Sequence, residues 1–130
     1  MLDHASIAVP ELAAVLEFYD ATLGALGYER QWIRDDRARY GDRTLGDGTF
    51  LSVVELARAV AARGHLALRA IDAAAVDAFF AAAIQNGGSD DGTPGPRPAY
   101  HARYYGAFVC DPAGNRLEAV CHTATPAGAA

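Results

Sequence analysis

Apolar residues return at helical intervals from Glu11 to Leu26, at Leu12, Val15, Leu16, Tyr19, Leu23 and Leu26. That spacing predicts one buried helix face. Pro10-Glu11 supplies a start signal, proline needing no N–H there and the acid suiting a helix N-terminus. Gly24 and Gly27 mark the exit. Before the helix, Leu2–Val9 alternates weakly, as a half-buried strand does. After it come Tyr28–Arg34, Ala38–Arg43 and Thr49–Leu56, parted by Asp35-Asp36 and Gly46-Asp47-Gly48. Those separators predict the turns of an antiparallel meander. The first half reads β-α-β-β-β.

The second half repeats the pattern. Gly64–Ala70 predicts a strand, Asp72 caps a helix running to about Gln85, and Asn86-Gly87-Gly88 ends it. Residues 87–98 have the glycine, proline and serine content of a loop. Tyr100–Cys110 predicts a further strand region, Asp111-Pro112-Ala113-Gly114-Asn115 a turn, and Arg116–Cys121 the closing strand. The tail from Thr123 is expected to fray. Placed at an offset of 61 residues, His4 falls on His65, Glu11 on Asp72, Val15 on Val76, Phe18 on Phe79 and Gly27 on Gly88. An α+β fold of two β-α-β-β-β modules follows, about 1–58 and 63–122, in one domain over 1–122.

Strand alternation places the chemistry. If Ile7 and Val9 pack under the first helix, His4, Ser6 and Ala8 face the other way. By the same rule His65, Ala67 and Arg69 lie opposite Leu66 and Leu68, and Arg116, Glu118 and Val120 opposite Leu117 and Ala119. Glu55 in Val-Val-Glu-Leu joins His4 if its strand has matching parity, which Val53 and Val54 do not decide. Glu118 has an ion pair with Arg116 or Arg69 as its plain alternative. Arg69 suits either a substrate anion or a rim ion pair. Tyr100-His101-Ala102-Arg103-Tyr104-Tyr105, aromatic and polar, is placed to wall the cavity, with His101 as a nearby acid or base.

Composition narrows the function. At 130 residues, 52% hydrophobic and 21% charged, the chain has the profile of one folded domain. A net charge of −5 argues against a nucleic-acid partner. The eleven basic residues are all arginine, which excludes Schiff-base lysine chemistry and a P-loop lysine. No apolar run reaches the ~20 residues of a membrane helix, and no secretory signal opens the chain. A cytoplasmic protein is expected. Cys110 and Cys121 read as reduced thiols. In a hairpin turning at 111–115, Cys121 would sit opposite residue 105, too far from Cys110 for a disulfide.

The duplication, with Asp3-His4, Phe18-Tyr19, Gly64-His65 and Asp111-Pro112-Ala113-Gly114-Asn115-Arg116-Leu117-Glu118, resembles the vicinal oxygen chelate superfamily. That superfamily holds glyoxalase I, extradiol dioxygenases and bleomycin resistance proteins. The resemblance implies a cup-shaped mixed sheet around a divalent metal, Ni, Fe, Mn, Co or Zn. It carries the ligand positions onto His4, Glu55, His65 and Glu118, with Glu118 and Glu55 as catalytic carboxylates that shuttle a proton. Arg69, His101 and Tyr104 are the candidate substrate-binding residues. The implied activity is of the glyoxalase I type, on a small substrate with vicinal oxygens, through a metal-stabilised enediolate. An iron-dependent extradiol-type dioxygenase and a metal-free small-molecule binding protein are the alternatives. A homodimer is also implied, in which ligands from two chains complete each site.

Overall fold

The computed structural model describes residues 2–42 and 48–125. Among them the elements run β1 (His4–Val9), α1 (Leu16–Ala25), β2 (Tyr28–Arg34), β3 (Arg37–Asp42), β4 (Phe50–Glu55), β5 (His65–Arg69), α2 (Ala73–Gln85), β6 (Ser89–Pro96), β7 (Tyr105–Cys110) and β8 (Arg116–Cys121). They form two four-stranded sheets ordered β1-β4-β3-β2 and β5-β8-β7-β6. In each sheet the first pair is parallel and the other two are antiparallel. This is the α+β fold of two β-α-β-β-β modules. Gly46 and Asp47 of the expected turn and residues 126–130 of the tail lie outside the described residues.

Alternation fixes the two faces of each sheet. Val9, Tyr40, Leu51 and Val53 are buried with Phe18, Tyr19 and Leu23 of α1. Val109, Leu117 and Ala119 are buried with Val76, Phe79 and Ala83 of α2. The helices also pack on one another, so the apolar faces of both modules merge into one core. Asp72 caps α2 as expected, its carboxylate accepting from Ala75 N at 2.8 Å. Tyr105 pairs with Cys121 and Cys110 with Arg116, and both cysteines are free. No helix among the described residues is long and apolar enough to cross a membrane.

Three boundaries differ from the sequence reading. The helix expected from Glu11 begins at Leu16, because residues 12–15 form a turn closed by Val15 N on Leu12 O. Leu12 and Val15 are buried all the same, so their helical spacing reported burial rather than backbone. The segment expected as loop contains β6. Pro94 and Pro96 are tolerated there because β6 is an edge strand, and its register slips twice, around Gly92. The strand expected from Tyr100 starts at Tyr105. Residues 97–104 form the β6–β7 loop, closed by Arg97 N on Tyr104 O at 2.9 Å.

The turn at 111–115 does more than reverse the chain. Asp111 is 3% exposed, a charge that burial would penalise without donors. Tyr19 Oη donates to its Oδ2 at 2.5 Å, and Asn115 Nδ2 donates to the same oxygen at 3.0 Å. The backbone N–H groups of Ala113 and Asn115 donate to Oδ1 at 2.9 and 2.7 Å. Asn115 also donates to Ala8 O and accepts from Ala62 N. Helix α1 and the β7–β8 turn meet at this carboxylate, and Asn115 links it to strand β1 and the intermodule segment.

Asp111→Ala is expected to remove about 2–4 kcal/mol of unfolding free energy, read from urea titrations. A loss within about 0.5 kcal/mol would show the turn to be dispensable. Burial first, then the charge of Asp111, holds the Tyr19 hydroxyl well above the ordinary tyrosine range. Its contribution is therefore complete below the unfolded value of ~10 and fades as pH rises beyond it. Thermal melts should fall above about pH 10, less steeply in Tyr19→Phe. Identical slopes in the two proteins would contradict this account.

Candidate functional site

The second module offers the better-formed constellation. Glu118 sits mid-strand on β8, flanked by Ala67 of β5 and Phe108 of β7. Its side chain is 3% exposed, and both oxygens have partners. Oε2 lies 3.2 Å from His65 Nε2, and Oε1 accepts from the Tyr104 hydroxyl. Burial first, then the bond to Glu118 and its charge, push the Tyr104 hydroxyl far up. Tyr104 thus stays a donor at ordinary pH. Gly106 makes the arrangement possible: a Cβ there would meet Tyr104 Cε1 at 3.1 Å and Glu118 Oε1 at 3.2 Å. His65 keeps 51% of its side chain exposed, so this pair opens to solvent on the imidazole side.

His101 lies outside the pair, on the β6–β7 loop. Its Nδ1 accepts from Arg103 N at 3.1 Å, which leaves the proton on Nε2, 2.8 Å from His122 Nδ1. The two imidazoles stack, and Tyr104 meets both rings edge-on. His122, just past β8, is part of this cluster. Arg69 ends β5 and is exposed, its carbonyl accepting from Tyr28 Oη at 3.4 Å.

The first module holds His4 on the expected face. Its Nδ1 donates to Asp3 Oδ1 at 2.7 Å, which leaves Nε2 as the nitrogen outside that bond, the arrangement of a metal-ligating histidine. The ring stacks on Phe50 at 4.8 Å. Glu55 requires correction. It pairs with Val9 and so points to the helix side, away from His4. There its carboxylate accepts from Leu12 N at 2.7 Å and caps the turn before α1. Register shows why the sequence misled: Ala67 aligns with Glu118 and its repeat counterpart Ser6 aligns with Ser52. The true counterpart of Glu118 is Ser52.

Among the described residues no three His, Cys, Asp or Glu side chains gather around one point. A cavity of about 350 Å³ between the modules is lined by His4, Phe50, Tyr28 and Arg69, and by neither His65 nor Glu118. Within one chain the His65–Glu118 pair and His4 therefore do not gather at one point. The His65–Glu118 pair fits a cation. Nitrogen and oxygen ligands at roughly 2.0–2.2 Å from one metal lie about 3 Å apart, as these two atoms do.

The family model for the Glyoxalase/Bleomycin resistance protein/Dioxygenase superfamily matches residues 1–119. The chain belongs to this superfamily. No curated protein matches it. Among solved structures, a glyoxalase/bleomycin resistance protein from Albidiferax ferrireducens T118 is 28% identical with a TM-score of 0.80, over 92% of this chain and 96% of that one. A putative glyoxalase from Bacillus halodurans is 25% identical with a TM-score of 0.68, over 92% and 94%. A V278E mutant of glyoxalase I from Zea mays is 22% identical with a TM-score of 0.72, over 93% of this chain and 46% of that one. The last likeness shows the superfamily fold alone.

Gly106→Ala is expected to displace Tyr104 from Glu118 and cost about 1–3 kcal/mol. Gly24→Ala, in open space on α1, should gain about 0.5–1 kcal/mol. Comparison of the two denaturation midpoints tests the packing, and equal shifts would refute it.

Proposed function

We propose that this chain is a divalent-metal-dependent enzyme of the glyoxalase type, acting on a small molecule with adjacent oxygens. In this reading two copies pair so that His4 of one copy completes the His65–Glu118 half-site of the other. The observation that carries it is the buried Glu118 carboxylate, anchored by Tyr104 and turned toward an exposed imidazole. A divalent ion held by His4, His65 and Glu118 would supply Lewis-acid polarisation of a substrate oxygen. In the same reading Glu118 would hold the ion through Oε2, the oxygen beside His65, and would serve as the proton carrier when that arm is released. Tyr104 keeps its own proton and fixes Oε1, so that one carboxylate oxygen moves protons while the other stays in place. Phe108 beside His65 limits water on one flank. Glu55, committed to Leu12 N, has no part in this ligand set.

A second reading, a metal-free binding protein, is favoured by one observation. The largely apolar cavity between the modules is of small-ligand size and excludes the His65–Glu118 pair.

Metal analysis of protein purified without chelator separates the two. The enzyme reading expects one ion per site in the wild type and none in His4→Ala, His65→Ala or Glu118→Ala. Mixing His4→Ala with His65→Ala should restore about a quarter of the sites if each cup is shared between copies. Metal bound equally by all variants, or by none of the proteins, would overturn it. Turnover of the methylglyoxal–glutathione adduct then tests the reaction.

A further inference from the structure

The first module carries an arginine with no use inside the fold. Arg39 of β3 is half-buried and aligned with Ser52 of β4, which aligns with Ser6 of β1. It therefore shares the face of His4. Its guanidinium carbon lies 3.7 Å from the centroid of the Phe50 ring. Strands β1 and β3 flank β4, so His4 and Arg39 stack on Phe50 from its two sides. Three other arginines have acids to pair with: Arg30 has Asp20 at 3.4 Å, Arg37 has Asp36 at 3.1 Å and Arg116 has Asp91 at 3.5 Å. Arg39 makes no ion pair among the described residues, and its Nε is buried with no acceptor. A buried donor left without a partner calls for an explanation.

We infer that Arg39 is the anchor for a carboxylate borne by the substrate, at the end remote from the oxygens that react. This rests on the cup proposed above, in which the His4 face forms one wall. The stack on Phe50 orients the guanidinium plane before any ligand arrives, and a planar fork of donors matches a carboxylate in two parallel hydrogen bonds. The buried hydroxyl of Ser52 lies on the same row. Trp32, aligned with Arg39 on β2, offers an apolar surface beside it. Arg34 lies over Trp32 at 4.6 Å and is exposed, whereas Arg39 holds the buried donor without a partner; that single planar fork fits a carboxylate, and a monocarboxylate is the class inferred.

The test is a titration of the chelator-treated protein with butyrate, its neutral isostere butyramide, and inorganic phosphate, followed through the Arg39 Nε–H resonance. Butyrate should move that resonance saturably, and butyramide should not. Affinity should fall about tenfold or more in Arg39→Gln and less in Arg39→Lys, which keeps the charge. Gly24→Ala, in open space on α1, should bind butyrate as the wild type does. An unmoved resonance, or equal affinity in Arg39→Gln, overturns the inference. Tighter binding of phosphate than of butyrate overturns the monocarboxylate class. Butyrate binding at Arg39 in a protein that takes up no metal would refute the proposed enzyme while leaving this anchor standing.

Discussion

Asp111 is a charge withdrawn from water, made tolerable by four donors drawn from α1 and its own turn. Because one donor is the Tyr19 hydroxyl, the β7–β8 turn of the second module cannot slide along the helix of the first without exposing that carboxylate to an unmet demand. Asn115 extends the constraint to β1 and the segment between modules. The apolar core holds the modules together but is indifferent to direction. The directional bonds at Asp111 select one relative placement, and with it where the His4 and His65–Glu118 faces lie.

Much of this was legible in the sequence, for physical reasons that can be named. The alternation of Ile7 and Val9 against His4 and Ser6 reads correctly because one face of β1 is buried and the other is not. On β8 both faces are buried, and parity is legible there because apolar Leu117 and Ala119 alternate with polar Arg116 and Glu118; the Cys110–Cys121 offset follows from hairpin counting. Glu55 was illegible because Leu51, Ser52, Val53 and Val54 are all buried or nearly so, and a strand covered on both faces has no visible parity where, as at Val53 and Val54, apolar residues run on. Strand β6 was hidden by prolines whose missing N–H groups matter only in central strands. The aim of Tyr104 at Glu118 depends on a loop closure fourteen residues away, which no local pattern encodes.

The duplication has produced two unlike faces from one plan. On the second, a buried carboxylate is held by a phenol and an imidazole. On the first, its counterpart is a serine, and the charge is a guanidinium lying against a phenylalanine. In the cup proposed above, one wall would handle protons and the other recognition. Tyr104 and Phe50 play matching parts, each immobilising a charged partner through its ring or hydroxyl, so neither polar group must be ordered when a ligand arrives.

Strand β6 has one further consequence. Sheet margins are templates on which foreign chains can grow into ribbons, and natural proteins blunt them. Pro94 and Pro96 have no proton to give an incoming strand, and the slips of register around Gly92 bend the margin out of line. The composition that disguises this segment as loop is therefore also what makes this rim a poor template for an incoming strand.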